Sequence, residues 1–171
     1  MGYACLVAIM AMGPGYHRQS AVALAARAAA AGGPAPVVTR AGAFLDGLKG
    51  LRRVAILTPY MRPLTDLVVH YIHAEAIVVT DSLAREIPDN LKEGRRDPLM
   101  QLEDARRLDH GDAHAVVFSA CVQMPSLAAI QRLEDELGKP VASAATLTVR
   151  RILQALGLER VVPGAGWALH G

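Results

Sequence analysis

The chain has 171 residues, 52% hydrophobic and 20% charged, with a formal net charge of +2, a balance that supports a packed core and excludes a disordered protein. Its arginine pairs (Arg52-Arg53, Arg95-Arg96, Arg106-Arg107, Arg150-Arg151) are scattered along the chain, as on solvated helix faces, and argue against nucleic-acid binding. No apolar run reaches the roughly 20 residues of a membrane helix and no basic leader opens the chain, which reads as cytoplasmic and free of membrane contact.

In chain order, Met1 to Met12 is an apolar stretch that carries Cys5, and Gly13-Pro14-Gly15-Tyr16-His17-Arg18 is turn chemistry. The alanine-rich Ser20 to Ala31 predicts a close-packed helix, Val37-Val38 a short strand, and Ala41 to Leu51 a helix ending near Gly50. Arg53 to Tyr60 is the clearest strand, an apolar run that stops at Pro59. A helix from Pro63 to His73, a strand from Ala76 to Thr80 and a turn at Ile87-Pro88-Asp89-Asn90 follow. After them come a polar-faced helix from Pro98 to Leu108 and a turn at Asp109-His110-Gly111-Asp112. Ala115 to Ser119 is a second apolar strand, Cys121 stands just past its end, and Pro125 predicts the first turn of the next helix. Val141 belongs to a last strand and Thr146 to Leu156 to a last helix, before a glycine-rich tail, Val162 to Trp167. The Gly-x-Gly of that tail does not open a helix after a strand, so it is not a dinucleotide fingerprint. Strands and helices alternating at short intervals predict an α/β protein with a doubly wound parallel sheet.

One phrase occurs twice. Ala4-Cys5-Leu6-Val7 answers Ala120-Cys121-Val122-Gln123, and each is followed by a helical stretch, a Gly/Pro turn, a short strand and another helix. The first of those last helices carries Phe44, Leu45 and Leu48, the second Val149, Ile152 and Leu153. A duplicated unit predicts two thiols facing each other across a cleft. Only four residues precede Cys5, whereas Cys121 follows a leading segment from Arg53 to Ser119, so roughly 60 residues of the first copy are expected to be missing. The expected units are a first α/β subdomain over 1–50, a second over 51–160, and a tail over 161–171 that packs back on the first.

Two cysteines cannot make a disulfide scaffold for a chain of this size, and in the cytoplasm both are free thiols. The histidines (His17, His70, His73, His110, His114, His170) show no paired ligand spacing, so no metal is expected. Two readings of the thiols stay open. They are small buried hydrophobes, or an opposed pair in which one thiolate adds to an activated alkene or takes a proton while the other serves as acid on the opposite face. The second needs no cofactor.

The stretch Val116 to Leu127, the helix with Glu134 before Gly138-Lys139-Pro140-Val141, the strand end at Pro59-Tyr60 and the Asp89-Asn90 turn together resemble the aspartate/glutamate racemase superfamily. Within it they are most similar to the maleate cis-trans isomerases, relatives of arylmalonate decarboxylases and hydantoin racemases. The resemblance implies two Rossmann-like subdomains related by a pseudo-twofold, the first shortened at its N-terminus, with the active site between them. It implies that Cys5 is the nucleophile that adds to C2 of maleate and that Cys121 gives a proton to the neighbouring carbon. Tyr60 and Asn90 would hold substrate carboxylates, and backbone N–H groups beside Cys5 and after Cys121, at Val122 and Gln123, would help stabilise the enediolate-like intermediate. The implied partner is a small dicarboxylic acid, and the exposed sheet edge of a shortened subdomain predicts a homo-oligomer. A racemase or decarboxylase of an α-substituted acid, and an inactive dicarboxylate-binding or oligomerising member, are the alternatives. Gln123-Met124-Pro125 departs from the threonine- or asparagine-bearing turn of the best-known members.

Overall fold

The computed structural model describes residues 1–119 and 124–170, with Asn90 described in its backbone alone. The elements are β1 (Gly2–Tyr3), α1 (Leu6–Met10), α2 (Tyr16–Ala30), β2 (Val38–Thr39), α3 (Arg40–Leu48), β3 (Arg53–Thr58), α4 (Arg62–His73) and β4 (Val78–Ala84). They continue with α5 (Asn90–Gly94), α6 (Met100–Arg106), β5 (Ala115–Phe118), α7 (Leu127–Leu137), β6 (Val141–Ser143), α8 (Ala144–Ala155) and a 3-10 turn at Trp167–Leu169. Every described strand pairing is parallel, in a four-stranded sheet of order β4-β3-β5-β6 and a two-stranded sheet β1-β2. The chain is therefore an α/β protein, as its alternation predicts.

The four-stranded sheet is covered on both faces because its side chains alternate between two cores. Val54 and Ile56 of β3 and Val117 of β5 join Leu6, Ile9, Phe44, Ile72 and Leu147 on one face. Ala55 and Leu57, with Val116 and Phe118, meet Ala105, Ile130 and Leu133 on the other. One core thus holds α1, α3, α4 and α8 against the sheet, and the other holds α6 and α7. Burying each large aliphatic side chain contributes about 1.5–3 kcal/mol, so strands with no polar face have this one stable place.

The repeated phrase has a structural counterpart. β1-α1-α2-β2-α3 runs in the same order as β5-α7-β6-α8, apart from the additional helix in the first unit. The two closing helices are capped alike: the Thr39 hydroxyl accepts from Gly42 N–H at 3.2 Å, and Ser143 Oγ accepts from Thr146 N–H at 3.1 Å. Helices α3 and α8 pack on each other at a point where Gly47 gives way to Leu147. A Cβ on Gly47 would come within 2.5 Å of Leu147 Cδ2.

Several boundaries differ from expectation. The strand expected at Ala76–Thr80 runs over Val78–Ala84, because its polar centre, Thr80-Asp81-Ser82, lies on a half-exposed sheet edge where apolar periodicity carries no signal. The Asp89-Asn90 turn is the start of a helix: the Asp89 carboxylate accepts from Leu91 N–H at 2.8 Å and Lys92 N–H at 3.3 Å. Pro125 lies before the helix it was expected to open, since Ser126 is the N-cap of α7. In the tail, the Glu134 carboxylate accepts from Val141 N–H at 2.9 Å and Trp167 N–H at 2.9 Å, while Arg150 stacks 5.2 Å from the Trp167 ring. The 3-10 turn packs on α8 and β6.

Candidate functional site

Open parallel sheets expose their ligands' place outside the carboxyl ends of the strands, and the described candidate residues stand there. Cys5 follows β1 and is the exposed N-cap of α1, with extended backbone at φ −103°, ψ 105°. Tyr60 follows β3 after the buried Pro59, and its hydroxyl donates to the carbonyl of Ser119 at 2.6 Å. Ser119 is the first residue past β5. Its N–H donates to Leu57 at 2.9 Å, which continues the ladder, while its buried Oγ has no hydrogen-bond partner among the described residues.

Register explains why these positions meet. Leu57 of β3 pairs with Phe118 of β5, so the segments after the two strands leave the sheet side by side. The loop after β4 joins them: Arg85 N–H donates to Thr58 at 2.9 Å, Glu86 N–H to Tyr60 at 3.1 Å and Ile87 N–H to Pro59 at 3.2 Å. That loop leads to Asp89 and to Asn90, the first residue of α5. Cys121, Val122 and Gln123 lie outside the described residues, as does the side chain of Asn90.

Three buried polar features were not legible in the sequence. Gln101 of α6 donates from its side-chain amide to the carbonyl of Pro125, tying α6 to the segment that follows Cys121. Helix α5 is held by buried charges: Arg85 contacts Glu93 at 2.5 Å and Asp104 at 3.2 Å, and Arg96 reaches Asp104 at 3.0 Å. Burial, then the Asp104 charge, pushes the Glu93 carboxyl up to about 7, an effect that the touching Arg85 guanidinium opposes. The third is Arg40, buried at the start of α3. The sequence signal for the first two is at best a polar residue on an otherwise apolar helix face. Among the described residues no group of three or more His, Cys, Asp or Glu converges as for a metal ion, and no helix is long and apolar enough to cross a membrane.

The arylmalonate decarboxylase family pattern matches residues 2–169. The chain belongs to the arylmalonate decarboxylase family. Among relatives within reach of this family member, the maleate isomerase of Geobacillus stearothermophilus is 54% identical over 173 residues, a match covering 100% of this chain and 69% of that protein. The crystal structure of a Pseudomonas putida maleate isomerase superposes with a TM-score of 0.96 at 50% identity, over 100% of this chain and 70% of that one. A cysteine-to-serine variant of the Nocardia farcinica maleate cis-trans isomerase, solved with a covalently bound succinylcysteine intermediate, superposes at 0.93 with 44% identity, over 99% and 70%.

Proposed function

We propose that the chain is a maleate cis-trans isomerase that works with two thiols, Cys5 as nucleophile and Cys121 as acid and base. The observation that carries this reading is the succinylcysteine adduct in a relative 44% identical to this chain, supported by maleate isomerase relatives at up to 54%. A succinyl thioether is what remains when a thiolate has added to one alkene carbon of maleate and the other carbon has taken a proton.

The Cys5 thiolate forms a C–S bond to C2, and the alkene electron pair moves onto C3 and its carboxylate as an enediolate. Cys121 delivers its proton to C3, leaving a saturated C2–C3 bond about which the two carboxylates rotate. The Cys121 thiolate then withdraws a proton from C3, the electron pair re-forms the double bond in the trans arrangement, and the C–S bond breaks to return the Cys5 thiolate. Protons and electrons balance without an outside reductant or oxidant. The Tyr60 hydroxyl, turning its proton from the Ser119 carbonyl to substrate, and the Asn90 amide hold the carboxylates, and the role left to the N–H groups of Val122 and Gln123 is to stabilise the enediolate, where binding lowers the barrier most. The exposed position of Cys5 at the end of β1 supports its role, because a thiol sealed in the core could not reach substrate. The reading also carries a homo-oligomeric, cytoplasmic enzyme.

Proton NMR of maleate incubated with the chain tests it, since the alkene protons of maleate and fumarate are distinct. Fumarate accumulates with the natural sequence, Cys121→Ala slows turnover by about 10²–10⁴-fold, and Cys5→Ala abolishes it. With Cys121→Ser, intact mass spectrometry finds one maleic acid added to the chain, and the added mass disappears when Cys5→Ala is combined. Undiminished turnover in either alanine variant would refute the assignment.

A further inference from the structure

Among the described residues Arg40 is a charge without a counterpart. It opens α3 with 9% of its surface exposed, and its Nε and Nη1 are buried with no hydrogen-bond partner among the described residues. A buried guanidinium left unpaired is costly, and its place makes it more so, because a cation in the first turn of a helix opposes the helix dipole. The guanidinium borders a cavity of about 480 Å3, within the size range of small-molecule sites. Ser143 and Thr146, at the N-terminus of the twelve-residue α8, border the same cavity, so a second helix dipole adds positive potential there. The capping box occupies the N–H of Thr146, which leaves other first-turn N–H groups without intrahelical acceptors. Among the described residues no acidic side chain lines the cavity, and its remaining wall is largely apolar, with Met124, Val149 and Leu169.

We propose that this cavity binds a monocarboxylate with a compact apolar body, its carboxylate paired side-on with the Arg40 guanidinium. One cation selects one anionic group, and the fork of guanidinium donors matches the two oxygens of a carboxylate. The apolar wall takes the rest of the molecule. Neither Cys5 nor Tyr60 borders the cavity, although its wall includes Met124 to Leu127, just past Cys121; that it is a second site is part of the proposal, which does not rest on the isomerase reading and is tested by maleate below.

Benzoate is the probe and benzamide its neutral counterpart, titrated calorimetrically against the 171-residue chain. Benzoate binds at one site and benzamide at least about tenfold more weakly, since the discrimination rests on a charge-assisted pair. Arg40→Met removes benzoate binding and Arg40→Lys weakens it. Val149→Trp, at a position 42% exposed where folding tolerates change, blocks the cavity and removes binding while the guanidinium stays in place. Maleate does not displace benzoate. Equal binding of benzoate and benzamide, no binding of either, or benzoate binding retained in Arg40→Met or in Val149→Trp would overturn the proposal. Stoichiometric displacement by maleate would do the same, by making Arg40 part of the dicarboxylate site.

Discussion

His17 shows what one buried titratable residue does to this molecule. The glycine and proline before it read as a turn, yet its ring is packed 5.8 Å from that of Tyr71, with Nδ1 2.8 Å from the Tyr71 hydroxyl and Nε2 3.2 Å from Arg18. Burial, and next the Arg18 charge, hold its imidazole below its ordinary value. A base whose folded pKa is depressed stays neutral in the native state while the unfolded chain takes up the proton near pH 6.5. Its contribution to stability is complete above that pH and is lost as pH falls through the lower, folded value. The melting temperature therefore declines as pH falls below about 6.5, and His17→Gln flattens that decline. Melting curves at half-unit pH steps decide this; an unchanged slope in the variant would show that other groups set it. Tyr71→Phe removes the partner of both His17 Nδ1 and the His17 N–H and costs about 1–3 kcal/mol in denaturant unfolding, the penalty of a buried donor left unmade.

At the scale of elements, the contact of α3 with α8 decides how the two repeated units sit together. Gly47 allows it, because a Cβ there would lie 2.5 Å from Leu147 Cδ2 and 3.1 Å from its Cγ, and Leu147 is only 1% exposed. Gly47→Ala is a favourable change for an isolated helix, but here the overpacking costs about 1–3 kcal/mol. Urea unfolding of Gly47→Ala, Leu147→Ala and the double variant tests this as a cycle. The double variant is more stable than the two single losses added together predict, because the smaller side chain admits the new methyl. Strict additivity would show that the helices separate freely. Elements also explain the misread boundaries: β4 is an edge strand with a polar centre, and α5 is a single short helix held by Arg85 and Glu93. Neither has an apolar period of its own.

At the scale of the molecule, stability is uneven. β3 lies between β4 and β5 with its side chains buried on both faces, while β1 and β2 pair over two residues each. Core strands open only with global unfolding, whereas short pairings open locally. Native-state hydrogen exchange is expected to be slowest at the amides of Ala55 to Leu57 and Val116 to Phe118, and faster by orders of magnitude at β1 and α5. Cys5 follows β1 and Asn90 opens α5, so two of the proposed site residues ride on the least protected elements. Equal protection of β1 and β3 would make the molecule one cooperative unit. The faces of the sheet divide the labour: one core joins α1 and α3 to β3, so that the helix after Cys5 and the strand before Tyr60 are fixed by the same packing.

Read alone, the sequence determined the α/β class, the central strands around Val54–Leu57 and Ala115–Phe118, the order of the longer helices and the double occurrence of the cysteine phrase. These rest on apolar period and turn chemistry, which each segment carries in itself whatever surrounds it. Only the tertiary structure decided that Tyr60 reaches Ser119, that Gln101 holds Pro125, that Arg85 reaches Asp104 and that Arg40 is buried near α8 with no partner for its Nε and Nη1 among the described residues. Each depends on groups distant in the chain that are brought together by strand register and helix packing, and a polar residue shows nothing locally of whether its charge will be met by water, by a partner or by neither.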